Sequence, residues 1–208
     1  MGTHIRPRLA ITIAIIAMAL ALGPFAQSAW AAPPIHENFA NTVAGTQKTD
    51  CLAGTDQCTD TSVVLFVDDG AARVCLDIYT YIPTGGLLGY ETGCAPVGPG
   101  GSTFDVKSLS GAAFSATAIS LQRYVCGAGL CEPTGTPRSA VVSGTFTGIG
   151  ELSTFRANSK QTFGNCTMYF VGKGSSRQAD ASVTIDGQPL DPPGFLSASS
   201  QKTKVICR

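Results

Sequence analysis

From residue 61 onward the chain is written in short runs in which apolar and polar positions alternate. Ser139-Ala140-Val141-Val142-Ser143-Gly144-Thr145-Phe146 and Ala181-Ser182-Val183-Thr184-Ile185 show it most clearly. A period of two puts successive side chains on opposite faces, as half-buried strands require. Strands are predicted over 62–67, 73–82, 87–92, 103–109, 112–125, 139–147, 152–157, 166–171, 179–185 and 202–207. Turn-forming residues separate them: DDG at 68–70, PTGG at 83–86, PVGPGG at 96–101 and DPPG at 191–194. The polar run KGSSRQAD at 173–180 reads as a connection. No helical period is sustained and no internal repeat is present. About ten short strands at this spacing predict an all-β fold, an antiparallel β-sandwich or partly open barrel stabilised by disulfides. A division near EPTGTP, 132–137, would leave two halves too small for good cores, so one domain over 51–208 is expected.

One hairpin is specified in detail. Pairing positions that sum to 169 centres a turn on Thr84-Gly85 and sets Cys75 opposite Cys94, Tyr79 opposite Tyr90 and Asp77 opposite Thr92. The other face would carry Leu76, Ile78, Ile82 and Leu87 to a core. A cross-strand disulfide and an aromatic pair thus agree on one register.

Before residue 61 the texture differs. Residues 32–50 (APPIHENFANTVAGTQKTD) hold few periodic apolar positions and read as a flexible Pro/Thr-rich arm. Residues 1–31 read as a secretory signal: Arg6 and Arg8, an apolar core of LAITIAIIAMALAL at 9–22, a Gly23-Pro24 break, then Ala29-Trp30-Ala31 before a cut. The apolar core is short for a bilayer span. Secretion follows, with cleavage after Ala31 and no membrane insertion once the signal is removed.

Composition then falls into place. The chain of 208 residues is 44% hydrophobic and 13% charged, which suggests a membrane protein until the signal is set aside. The remaining 177 residues carry 12 Lys and Arg against 14 Asp and Glu, a net charge of −2. With no basic block, the sequence gives no electrostatic reason to expect nucleic acid as a partner.

All eight cysteines lie beyond the signal, at Cys51, Cys58, Cys75, Cys94, Cys126, Cys131, Cys166 and Cys207. An even number in an exported chain predicts disulfides. Cys51 with Cys58 and Cys126 with Cys131 would staple local loops, Cys75 with Cys94 the hairpin, and Cys166 with Cys207 would tie the last segment to the body. Zinc is the competing reading; structural zinc sites favour C-x2–4-C pairs or nearby His, and no two-residue Cys spacing exists here.

Histidine limits the catalytic chemistries. His4 belongs to the signal and His36 to the arm, so no fixed imidazole is available for a triad or a Cys-His pair. GxSxG, HExxH and phosphate-loop motifs are absent. Paired carboxylates remain, and Asp77 with Glu91 come nearest, yet the hairpin register places them on opposite faces. Asp68-Asp69-Gly70 with Asp56 and Asp60 would offer calcium oxygen ligands, although turn chemistry explains Asp and Gly there. No metal and no cofactor are expected. Asn165-Cys166-Thr167 fits a glycosylation acceptor, hindered by a disulfide at Cys166.

Three ligand-binding candidates share one hairpin face: Tyr79, Tyr81 and Tyr90. Exposed, they would form a strip that stacks on sugar rings or anchors a protein. Buried, they are core beside a disulfide, which is the favoured reading. The Cys126-GAGL-Cys131 loop would present Leu130 rigidly. The sequence therefore leads to a secreted non-catalytic protein acting in extracellular binding, with a glycan or protein partner, or as a cell-exterior component. A glycan-active hydrolase using carboxylates, or a stapled-loop inhibitor of an extracellular enzyme, is the alternative.

Overall fold

The computed structural model describes residues 35–68, 71–127 and 129–207. The expected signal lies outside them, as do Asp69 and Gly70. Ten strands make up the described chain: β1 (Ile35–Cys51), β2 (Cys58–Asp68), β3 (Ala71–Ile82), β4 (Gly86–Pro96), β5 (Ser102–Phe104), β6 (Gly111–Gly127), β7 (Leu130–Phe163), β8 (Cys166–Ile185), β9 (Gln188–Leu190) and β10 (Pro193–Cys207). All pairings are antiparallel, in the order β10-β1-β2-β3-β4-β6-β7-β8-β9, and β10 also pairs with β8.

That extra pairing brings the sheet round on itself. Eight strands follow one another in a ring, with β5 and β9 as short additions. The ring is thin at one seam, because β4 and β6 pair only over 89–92 and 122–125. Beyond the seam β5 takes up pairing with β6 at Ala112, Ala113 and Phe114. The all-β, antiparallel, disulfide-stabilised class is as expected.

Inward positions recur every second residue and are apolar. Val63, Leu65, Val74, Leu76, Ile119, Val142, Val183 and Leu196 are fully buried, and Phe146 and Leu121 nearly so. Small residues fill the wall where strands approach closely: a Cβ on Gly93 would lie 2.1 Å from the Ser120 carbonyl oxygen.

Four expectations are corrected. Residues 35–50, read as a flexible arm, belong to β1, which is paired to β10 on one side and β2 on the other. Its inward residues are small and its fit depends on a polar contact: Ala44 and Thr46 are buried, and the Thr46 hydroxyl donates to the Pro193 carbonyl at 2.9 Å. Short inward side chains give no strong alternation to read. Residues 173–180, read as a connection, are the middle of β8. Runs 139–147 and 152–157 are both parts of β7, joined through a register shift between Ile149 and Ser153 with Gly150 at φ 66°. The strand expected over 103–109 stops at Phe104, because Asp105 caps a turn. Its carboxylate accepts the backbone N–H groups of Lys107 at 3.0 Å and Ser108 at 3.1 Å, and the hydroxyls of Ser108 and Ser110.

The disulfides pair as expected: Cys51–Cys58, Cys75–Cys94, Cys126–Cys131 and Cys166–Cys207. Four such bonds belong to the chemistry of oxidising compartments.

Candidate functional site

The hairpin of β3 and β4 has the expected register at Cys75–Cys94, Asp77–Thr92 and Tyr79–Tyr90. It departs at the tip, where Tyr81 pairs with Leu87 because the register shifts by one after Thr80. A one-residue shift exchanges faces. Leu87 therefore joins the tyrosine face and is exposed, whereas Leu76 and Ile78 reach the core and Ile82 is half-buried.

The tyrosines stand outside the barrel. Register carries one row across six strands: Thr49, Asp60, Tyr79, Tyr90, Tyr124 and Pro133. Tyr90 and Tyr124 are stacked, centroids 4.5 Å apart and planes 11° apart; Tyr79 and Tyr90 are tilted by 30° at 5.7 Å. Neither reading of this face holds in its simple form. The rings are not core, since Tyr79 is 39% exposed and Tyr90 and Tyr124 are half-buried. Nor do they lie flat for a sugar, because stacked rings cover each other's faces. Partial burial, then the Asp77 carboxylate and Tyr90, raises the Tyr79 phenol above its ordinary pKa. Tyr81 is raised as well, by desolvation and then by Asp60, which accepts its hydroxyl at 3.3 Å. Tyr124 completes the row and was not a sequence candidate, because nothing in the sequence pairs β6 with β4.

The carboxylates are engaged in structure. Asp77 accepts the Thr92 hydroxyl on the outer face. Glu91, on the other face, takes Nε and one terminal nitrogen of Arg138 at 2.7 Å each. Asp60 holds Thr49 and Gln47. Among the described residues no three His, Cys, Asp or Glu side chains are placed to hold a metal. Leu130, at the stapled tip, is 72% exposed.

The most distinctive surface lies at the other end. Beyond the barrel the outer parts of β7, β8, β10 and β1 continue as a single layer, in that order, which we call the wing. Residues 150–163 of β7 are exposed without exception. Registers across the four strands assign each side chain to one of two faces. One face carries Phe155, Phe163, Met168, Phe170, Val205, Ile35 and Phe39 among the polar Glu37, Ser159, Gln161, Gln201 and Thr203, with the rings of Phe155 and Phe170 packed over Gly174 and Gly172. The other face carries three successive rows: Lys160, Tyr169, Lys204, His36; then Asn158, Val171, Lys202, Asn38; then Arg156, Lys173, Ser200, Ala40. The Lys160 ammonium lies 5.6 Å from the centre of the Tyr169 ring. Beside it is a shallow concavity of about 380 Å³, lined by Lys160, Thr162, Thr167, Tyr169 and Ile206 among others. A second of about 310 Å³ adjoins it, bordered by Asn158, Lys160, Tyr169 and Val171.

The sequence offered no signal for this face. His36, expected in an arm, is a strand residue within it. No family model, curated protein or solved structure matches the chain.

Proposed function

We propose that this chain is an extracellular, non-catalytic binding protein that holds its ligand across an open sheet face. The observation that carries the reading is the wing. A strand segment whose side chains are all exposed buries little apolar surface, and burial is the main driving force of folding. Yet its two faces differ: one holds all the phenylalanines together with polar neighbours and Glu37, the other gathers five cations with asparagines and threonines. Such a difference has little purpose in a solvated extension and a clear one in recognition. Export is supported by the four disulfides and by the amino-terminal sequence features.

The hydrolase alternative draws no support from the acids nearest to a pair. Asp77 and Glu91 face opposite ways, and Glu91 is held by Arg138. The test applies purified mature protein to an array of glycans and defined extracellular proteins, while soluble glycans incubated with it are assayed for new reducing ends. Saturable binding without product is the expected result. Release of reducing ends would establish the enzyme instead.

A further inference from the structure

We propose that the cationic face of the wing binds an acidic polysaccharide. The inference rests on the binding reading above and names its ligand class.

Five cations, Arg156, Lys160, Lys173, Lys202 and Lys204, share this face and all are exposed. They come from the β7–β8 hairpin and from β10, so a chain of nearly balanced charge gathers five of its positive groups on one small area. The rows that hold them contain no carboxylate; Glu37 is on the opposite face. Among the described residues the ion pairs are Lys48–Asp50, Arg138–Glu91 and Arg138–Asp186, and none involves the five.

The arrangement works against folding. Arg156 is directly opposite Lys173, and like charges so placed destabilise a sheet. Lys202 and Lys204 are next neighbours on the same face of β10. Charge on an open edge strand discourages sheet-to-sheet aggregation, which accounts for Arg156 and Lys160 on the outer part of β7. It does not account for Lys173, Lys202 and Lys204, because β8 and β10 are paired on both sides here. A repulsive cluster on interior strands needs a counter-charge from elsewhere.

Spacing points to a polymer. Strands lie about 4.8 Å apart and same-face neighbours on a strand about 7 Å apart. The five charges thus form an open lattice over an exposed sheet face, suited to an extended chain with a negative group on every ring or two. A compact anion would prefer a closed pocket. Asn38, Asn158, Thr162 and Thr167 alternate with the cations and match a hydroxyl-rich ligand, and the concavity beside Tyr169 has room for a ring. Single-stranded nucleic acid is a poorer match. Its binding sites combine basic grooves with several stacking aromatics, and this face has only Tyr169, already beneath Lys160, and the imidazole of His36.

The test uses full mature protein and three probes: immobilised polygalacturonate, neutral dextran, and single-stranded oligothymidylate. The parent protein should bind polygalacturonate, lose it as salt rises, and ignore dextran. The variant Lys173→Ser/Lys202→Ser/Lys204→Ser should bind polygalacturonate roughly tenfold or more weakly. A control, Lys48→Ser/Arg73→Ser/Lys107→Ser, removes the same charge elsewhere and should bind like the parent. Equal losses in both variants, no loss in the first, or tighter binding to oligothymidylate than to polygalacturonate overturns the inference. If the protein ignores polygalacturonate but binds a neutral glycan or a defined protein on the array, this inference fails and the binding reading stands. If it binds nothing, both fail.

Discussion

Tyr90 lies parallel to Tyr124 across the narrow seam between β4 and β6, ring centroids 4.5 Å apart. Only four residues on each strand are paired there, so the aromatic contact reinforces the thinnest part of the ring of strands. Tyr90→Ala and Tyr124→Ala should each lower stability by about 1–2 kcal/mol, less than deletion of a core aromatic. Urea denaturation of both single variants and the double variant should give a coupling energy of about 0.5–1.5 kcal/mol. Additive losses would show that the rings act separately.

At the same seam, Gly93 has no room for a methyl group against the Ser120 carbonyl. Gly93→Ala should destabilise the protein by about 1–3 kcal/mol through forced backbone movement. An unchanged denaturation midpoint would mean that β4 and β6 are further apart.

The hairpin was legible in the sequence because independent constraints coincided: two cysteines, two tyrosines and an inward Leu76 all demanded one register. The tip was not, since one extra residue near Leu88 moved Leu87 to the other face. The wing was hidden for a different reason. The outer part of β7 exposes both faces. Lys173 to Asp180 is mostly polar, with Ala179 its one buried apolar side chain, and so resembles a loop; Gly174 within it is matched by the ring of Phe155. The basic face exists only when β1, β7, β8 and β10 are laid side by side. Charge runs along the chain do not reveal it.

The Asp105 turn should make stability depend on pH in the acid range. Hydrogen bonds from the Ser108 hydroxyl first, then from Ser110 and the backbone, hold its carboxyl well below the ordinary carboxylate pKa. A depressed folded pKa stabilises the native state above the unfolded value, and that contribution is lost as pH falls below about 4. The turn also holds buried Leu109 at φ 48°. Asp105→Asn should melt lower than the parent at neutral pH, with the gap narrowing below about pH 4. A gap independent of pH would deny the carboxylate this role.

The Cys166–Cys207 bond closes 41 residues and joins the far ends of β8 and β10. Its removal in Cys166→Ala/Cys207→Ala should reduce stability by at most about 4 kcal/mol in the chain-entropy model. Hydrogen exchange should quicken first at the wing ends of β8 and β10, while the barrel segments of β2 and β3 keep their protection. Uniform loss of protection would make the wing part of the folding unit.

The central claim is that the basic wing face serves recognition and is held against a folding cost. The thermal midpoint of Lys173→Ser/Lys202→Ser/Lys204→Ser at low salt tests it most directly. Relief of like-charge repulsion predicts a midpoint equal to the parent's or higher, since solvated surface changes otherwise move stability by no more than about 0.5 kcal/mol. A midpoint several degrees lower would show that these lysines stabilise the fold, and would contradict the claim.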